Sequence, residues 1–236
     1  MTALLLLLGG SGERFGGDLP KQFAEIEYND KKLPLFEVTA RRLLAELDCA
    51  FVIFVASKKY LNTSHVKPVI ESIQSDFPRL KVQYAAGGAT RFASFLNGYR
   101  ILARLKGIQK VVVHDANRPY LHPEFLQKVK HEVDQLSIHK PVCLPVIPQI
   151  DSTVRIAEER VMRYEKREEL FRVQTPQLFH LDSLNSAFDR NALVAPGQNF
   201  SDEGSFALAL GLPVFYFEGD ERNIKVTYQS DLATMH

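Results

Sequence analysis

The chain alternates short apolar runs with longer segments in which apolar residues recur every three or four positions. The short runs predict strands buried on both faces of a sheet, and the longer segments predict helices that cover it. Helical spacing is clearest over residues 35–47 and 91–105. The predicted strands are 3–8, 50–56, 81–85, 110–114, 142–147 and 213–217. This order predicts an α/β fold with a mostly parallel, twisted sheet and helices on both faces.

The pattern changes between residues 148 and 173, where charged and apolar residues roughly alternate without a helical stripe. Such alternation predicts a β-hairpin, which we expect to project from the domain as an arm. A hairpin cannot bury its own apolar face, so we expect that face to pack on another surface, such as a partner subunit. The side chains concerned are Val154, Ile156, Val161, Met162 and Tyr164. The arm therefore predicts a homodimer.

Composition narrows the class of protein. A length of 236 residues, 45% of them apolar, fits one domain spanning residues 1–236. The formal net charge of +1 gives no global field for nucleic acid or a membrane surface, so we expect neither as a partner. The leucine run near the start lacks a preceding basic segment and indicates a buried strand rather than a signal peptide, so a cytoplasmic protein is expected. Cys49 and Cys143 lie in apolar stretches, and we expect both to be buried, reduced and unreactive.

The strongest local signal is the segment LLLLLGGSGERFGGDLPKQF, in which a strand runs into a glycine-rich loop. Glycines let backbone N–H groups approach and cradle phosphate oxygens, and nearby cations add full positive charge. The glycines are Gly9, Gly10 and Gly12, and the cations are Arg14 and Lys21. We interpret the loop as a polyphosphate site, with an ordinary glycine-rich turn as the alternative.

Two other phosphate loops fit this segment less well. The dinucleotide fingerprint GxGxxG would need glycine at Phe15, and the pattern GxxxxGK[ST] is absent. An NAD-dependent oxidoreductase and an ATP hydrolase are therefore disfavoured.

Further candidate residues follow later strands. Asp115 ends an apolar strand at the sheet edge where α/β folds place ligands, so its carboxylate could accept from sugar hydroxyls or stand near Mg²⁺. Helix capping is the alternative for Asp115. Arg118 offers a planar donor fork for phosphate, or else a surface salt bridge. Ser94 could hydrogen-bond a base edge, or else cap the helix that it begins.

The glycine-rich turn with Arg14 and the tripeptide PKQ resembles the opening signature of the 2-C-methyl-D-erythritol 4-phosphate cytidylyltransferases and the related ribitol 5-phosphate cytidylyltransferases. Five further segments resemble that family's motifs in the same order, so the resemblance runs nearly end to end. They are GGATRFASF (87–95), VVVHDANRPY (111–120), VQTPQLF (173–179), SDEGSFALALG (201–211) and NIKVTYQSDL (223–232). The resemblance implies a single Rossmann-like domain that joins CTP to a polyol phosphate in isoprenoid precursor biosynthesis.

The resemblance also implies roles for individual residues. Arg14 and Lys21 would stabilise the transition state, while Lys225 and the arm residue Arg167 would position the acceptor phosphate, Arg167 acting in the neighbouring subunit's site. Mg²⁺ would bridge the triphosphate mainly through phosphate oxygens and water, which leaves few dedicated protein ligands, and we name no metal residue. Substrate contacts are implied for Gly9, Gly10, Gly12, Gly88, Ser94, Asp115, Ala116, Arg118, Thr175 and Ser201.

Some positions depart from the family pattern. Asn117 stands where the family has alanine, Ser201 where it has threonine, and a longer connection precedes Thr153. These departures leave open whether the acceptor is methylerythritol phosphate or ribitol phosphate. An alternative from another class, a catalytically silent nucleotide-binding module, is disfavoured because it would not need Arg14, Lys21, Arg167 and Lys225 together.

Overall fold

The structure is a computed structural model that describes residues 1–8, 15, 19–61, 63–190 and 199–233. The strands of this part of the chain are β1 (Thr2–Leu7), β2 (Glu25–Tyr28), β3 (Lys31–Pro34), β4 (Cys49–Ala56), β5 (Lys81–Ala86), β6 (Lys110–Asp115), β7 (Val142–Pro148), β8 (Val154–Ala157), β9 (Arg160–Tyr164), β10 (Phe171–Val173), β11 (Gln177–His180) and β12 (Val214–Glu218). The helices are α1 (Leu35–Glu46), α2 (Lys58–Leu61), α3 (Lys67–Asp76), α4 (Arg91–Leu102), α5 (Pro123–Gln135), α6 (Leu181–Arg190), α7 (Glu203–Ala209) and α8 (Ser230–Ala233).

The central sheet is parallel at its centre and mixed at one end. Its strand order is β10, β7, β11, β6, β1, β4 and β5, and β12 also pairs with β7. The neighbours β6, β1, β4 and β5 run parallel, whereas β11 is antiparallel to both β6 and β7. The predicted α/β class with a mainly parallel sheet is therefore confirmed.

The leucine run forms the middle strand because both of its faces are covered. Leu4 and Leu6 pack in a cluster with α1, α3 and α5, while Leu5 and Leu7 pack in a second cluster with α4, α6 and α7. Gly98 in α4 allows the close approach on the second face, since a Cβ there would lie 2.4 Å from a methyl carbon of Leu5. Helices therefore cover both faces of the sheet, as predicted.

The predicted arm is a hairpin of β8 and β9 that leaves the sheet after β7 and returns through β10. Its turn residues Glu158 and Glu159 have φ values of 49° and 61°. Four of the apolar side chains named above, Ile156, Val161, Met162 and Tyr164, are between 56% and 74% exposed. Within the subunit the arm's apolar residues thus remain largely uncovered.

Some predicted bounds were wrong by a few residues. Helix α4 ends at Leu102 rather than at residue 105, and the chain then turns through Gly107, whose φ is +79°. Cys49 is half-buried rather than buried, whereas Cys143 is buried as expected. Burial raises the pKa of each thiol to about 12, which agrees with the expected low reactivity. No helix among the described residues is long and apolar enough to cross a membrane.

Candidate active site

The carboxyl ends of the parallel strands open into a cleft of about 700 Å³. Strands β4 and β6 flank β1, and Leu7 pairs with Val55 on one side and Asp115 on the other. The described residues that line the cleft are 7–8, 20–22, 57, 60, 87–91, 94, 115, 117 and 225. Segments that carry four of the sequence motifs therefore converge at one sheet edge, where α/β folds place ligands.

Asp115 is the centre of a charged cluster in this cleft. One carboxylate oxygen accepts from Arg91 Nε at 2.9 Å, and the other accepts from Lys225 Nζ at 2.8 Å. Arg118 Nε lies 3.8 Å from the second oxygen. Burial opposes the ionised carboxyl, but these three cations outweigh it and hold the pKa of Asp115 well below its usual range. Asp115 is therefore a fixed anion that gathers cations, rather than a helix cap.

Arg91 and Glu203 are site residues that the sequence interpretation missed. Glu203 begins α7 and is fully buried, and its carboxylate accepts from Arg91 Nη1 at 2.6 Å. Arg91 thus bridges two carboxylates that are far apart in the sequence. The arginine in the GGATRFASF motif was a usable signal, but nothing local in the sequence pairs it with a residue 112 positions later.

The turn before α4 shapes the cleft wall. Gly88 cannot carry a side chain here, because a Cβ would lie 2.5 Å from the Cβ of Ala93. Its N–H donates to Ser94 Oγ at 3.0 Å, and Ser94 Oγ in turn donates to the Thr90 carbonyl at 3.0 Å. Thr90 caps the helix by accepting from the Ala93 N–H. The capping alternative for Ser94 was therefore wrong, and its hydroxyl hydrogen is already used to hold the turn.

Lys21 reaches the cleft from a short 3₁₀ turn, Lys21–Phe23. Gln22 anchors this turn by donating to the Leu8 carbonyl at 2.7 Å, and buried Phe23 packs edge-on against Phe36. The predicted phosphate-loop residues Gly9, Gly10, Gly12 and Arg14 lie outside the described residues. Lys21 is therefore the member of that predicted site whose placement is described.

Asn117 explains one departure from the family pattern. Its side-chain amide donates to the Val226 carbonyl at 2.6 Å, and its own backbone carbonyl accepts from the Val226 N–H at 2.9 Å. These two bonds hold the segment that carries Lys225 beside Asp115. A side chain that departs from the family motif thus fixes the position of a predicted catalytic lysine.

The remaining predicted residues lie in different environments. Ala116 is fully buried, and its N–H and carbonyl are bonded to Leu7 and Thr39 beneath the cleft. Thr175 is also buried. Ser201 is exposed, and its hydroxyl lies 3.2 Å from that of Ser205. None of Ala116, Thr175 and Ser201 lines the cleft within the described part of the chain, so their substrate contacts stay predictions.

Arg167 lies on the arm in an exposed 3₁₀ turn, Arg167–Glu169. Its Nη1 donates to the Ile150 carbonyl at 3.1 Å. It does not belong to the described lining of its own subunit's cleft. The structure thus brings Lys21, Asp115 and Lys225 together and leaves Arg167 apart from them.

Comparison with known proteins gives a consistent result. The family model described as IspD, 2-C-methyl-D-erythritol 4-phosphate cytidylyltransferase, matches residues 2–236. The chain is 31% identical over 240 residues to the enzyme of that name from Thermosipho africanus, covering 100% of this chain and 96% of the relative. It is 32% identical over 235 residues to the enzyme of that name from Cereibacter sphaeroides, covering 98% and 94%.

Solved structures agree on the fold. The crystal structure of the Thermus thermophilus 2-C-methyl-D-erythritol 4-phosphate cytidylyltransferase has a TM-score of 0.68 and 25% identity, with 99% of this chain and 97% of that chain covered. The 4-diphosphocytidyl-2C-methyl-D-erythritol synthase of Anaerococcus prevotii has a TM-score of 0.74 and 19% identity, with coverages of 99% and 95%. Both structures match nearly the whole chain.

Proposed function

Since the chain belongs to the IspD family of 2-C-methyl-D-erythritol 4-phosphate cytidylyltransferases, we propose that it joins CTP and 2-C-methyl-D-erythritol 4-phosphate. The products are CDP-methylerythritol and pyrophosphate. The reaction is an intermediate step of isoprenoid precursor biosynthesis. The family match over residues 2–236 carries this conclusion, because it spans nearly the whole chain rather than one motif. A ribitol phosphate acceptor is not favoured, since the relatives named above are all methylerythritol phosphate enzymes.

The reaction needs alignment more than proton transfer. An oxygen of the acceptor phosphate attacks the α-phosphorus of CTP, a new P–O bond forms, and the bond from the α-phosphorus to pyrophosphate breaks. The nucleophile is already an anion, so the protein must hold two polyanions together and neutralise the charge that grows on the α-phosphoryl oxygens. Cations that converge on one cleft suit this task, and both Lys21 and Lys225 belong to its lining.

We propose that the two substrates bind at different ends of the cleft. We assign the nucleotide to the side of Lys21, Gly88 and Ser94, and the acceptor to the side of Asp115, Arg118 and Lys225. Gly88 packs closely on α4 and lines the cleft, and we place the pyrimidine ring against this turn. The acceptor's hydroxyls can bond Asp115, while its phosphate can bond Lys225.

Mg²⁺ belongs to this proposal as a companion of the CTP substrate. Both oxygens of Asp115 already face cations, and no group of three His, Cys, Asp or Glu side chains suited to a metal occurs in the described parts of the chain. These contacts of Asp115 support an ion that is held mainly by the substrate. Triphosphate oxygens and water would hold the ion, as Mg²⁺ prefers.

We also propose that the arm pairs two subunits and that Arg167 completes the partner's site. The exposed apolar side chains on β8 and β9 support this assembly, since a single subunit leaves them uncovered. Arg167 lies apart from its own cleft, which supports action across the pair.

The test is a substrate series followed by pyrophosphate release. Purified protein with Mg²⁺ receives CTP with methylerythritol phosphate, then CTP with ribitol 5-phosphate, then ATP or GTP with methylerythritol phosphate. Turnover should require CTP and methylerythritol phosphate together. Lys21→Ala serves as the inactive control, with kcat lowered on the order of 10²-fold because a charge-stabilising donor is lost. Equal turnover with a purine nucleotide, or a preference for ribitol phosphate, would contradict the proposal.

A further inference from the structure

His114 is fully buried directly before Asp115 and has no part in the transfer described above. Both ring nitrogens are nevertheless bonded. Nδ1 lies 2.9 Å from Thr175 Oγ1, and Nε2 lies 3.2 Å from the Arg118 carbonyl oxygen. Thr175 Oγ1 also accepts from the Asp115 N–H at 3.2 Å.

The direction of each bond follows from its partners. A carbonyl oxygen only accepts, so Nε2 must carry the hydrogen that bonds Arg118. Burial lowers the pKa of His114 to about 3, so the imidazole is neutral near pH 7 and its Nδ1 is an acceptor. The Thr175 hydroxyl therefore donates to Nδ1 and accepts from Asp115. Its single hydrogen is used, which leaves none to donate to a substrate.

Two further bonds close a circuit. Arg118 Nη1 donates to the Asn223 carbonyl at 2.8 Å, and the Asn223 side-chain amide donates to the Thr175 carbonyl at 2.8 Å. We call this closed set of His114, Arg118, Asn223 and Thr175 the His114 ring. It joins the end of β6, the loop before β11 and the segment that leads to Lys225.

We propose that His114 and Thr175 are positioning residues that fix the acceptor side of the cleft through the His114 ring. The ring holds the backbone of Asp115 through Thr175 and the backbone of Arg118 through His114. It also anchors Asn223, two residues before Lys225. Residues assigned to the acceptor, which come from separate parts of the chain, thus share one buried support. This inference rests on the proposed function for the identity of the acceptor side.

The kinetic test compares two substitutions of one residue. Thr175→Val keeps the shape of the side chain but removes the hydroxyl, whereas Thr175→Ser keeps the hydroxyl. Thr175→Val should lower kcat/KM for methylerythritol phosphate on the order of 10²-fold, because small misplacements of reacting groups have effects of that size. The KM for CTP should change by less than about threefold, because the nucleotide side lies outside the ring. Thr175→Ser should recover most of what Thr175→Val loses.

An NMR test probes the hydrogen bonds of the His114 ring and does not depend on enzyme activity. In ¹⁵N-labelled protein, His114 should show a protonated Nε2 and a bare Nδ1, unchanged between about pH 5 and pH 8, where an ordinary histidine titrates. The chain has 7 histidines, so a His114→Gln variant identifies the signal by its loss. In Thr175→Val, the Nδ1 resonance should shift because its hydrogen-bond donor is gone.

The outcomes separate the two claims. An inactive wild-type enzyme with the expected His114 signal would overturn the proposed function and leave the His114 ring standing. An active enzyme whose folded Thr175→Val variant keeps wild-type kinetics would overturn the positioning role. A rise in the KM for CTP as large as the loss in kcat/KM for methylerythritol phosphate would also overturn it, since it would indicate a general disturbance of the cleft. A His114 that gains a proton across that same pH range would remove the hydrogen-bond directions on which the ring depends.

Discussion

The cleft and the arm both carry many charges but use them in opposite ways. In the cleft, Arg91 is held between two buried carboxylates, at 2.9 and 2.6 Å. On the arm, Glu165 lies between Arg155 and Arg163 at 3.2 and 3.1 Å, on a hairpin whose arginines are exposed. A buried charge that loses its partner is left without solvent, whereas an exposed one regains water. The charges of the cleft therefore depend on buried partners, whereas those of the arm are also served by solvent.

The largest expected effect tests that contrast directly. Arg91→Ala leaves Glu203 and Asp115 without their shared partner, so the free energy of unfolding should fall by about 3 kcal/mol or more. Arg155→Ala is the matched control on the arm and should leave the urea midpoint unchanged, because Glu165 keeps Arg163 and solvent. The measurement is urea unfolding of both variants. Equal losses would mean that burial does not distinguish the two regions.

The next effect is on pH dependence and comes from His114. Its pKa is about 3 in the fold because burial outweighs the opposing attraction of Asp115, and about 6.5 when unfolded. The unfolded chain therefore binds more protons below about pH 6.5, and this contribution to stability is lost as pH falls towards 3. From about pH 7 to pH 5 the loss from this group should be about 2 kcal/mol.

The control is His114→Gln, which should be less stable at neutral pH but should lose less on acidification over that range than the wild type. Urea unfolding at both pH values provides the comparison. Identical pH dependence in the two proteins would show that His114 gains its proton without unfolding.

A smaller effect concerns the arm as a donor of Arg167. Mixing inactive Lys21→Ala with inactive Arg167→Ala should restore up to about a quarter of wild-type turnover, since about half of the dimers are hybrids with one intact site each. Turnover is measured after subunit exchange and compared with each variant alone. If verified hybrid dimers stay inactive, Arg167 does not act across the pair.

Met162→Asp should have the smallest effect on the stability of the folded subunit. This exposed arm residue should tolerate the change in the folded subunit, while a charge in the apolar contact weakens dimerisation. Ile138→Asp is the control, because Ile138 is similarly exposed but precedes β7, whereas the arm follows β7. Sedimentation velocity should show monomer for the first variant and dimer for the second. Dimer in both would place the contact elsewhere.

The sequence predicted the sheet centre and the arm well because both have simple periodicity. Strands such as β1 and β4 are continuous apolar runs, and their bounds shifted by one residue at most. The antiparallel insertion of β11 between β6 and β7 was not predicted. Its alternation is too short to reveal a partner strand that lies far away in sequence.

The site was predicted unevenly for a similar reason. Residues that resemble family motifs, such as Lys21 and Lys225, lie together at one cleft. The support beneath them was missed, because Glu203 and His114 act through contacts with residues remote in sequence. Single motifs indicate which groups face a substrate, but not which buried groups hold them.

The arm is connected through the chain to the His114 ring. The arm re-enters the sheet through β10, whose last residue, Val173, pairs with Val146 and precedes Thr175 by two positions. A subunit bound to the arm would therefore affect the strand that leads to Thr175. In the proposed dimer, the order of each acceptor side would then depend on how tightly the partner binds that subunit's arm. Dimer formation and catalysis would be coupled through the same segment of chain.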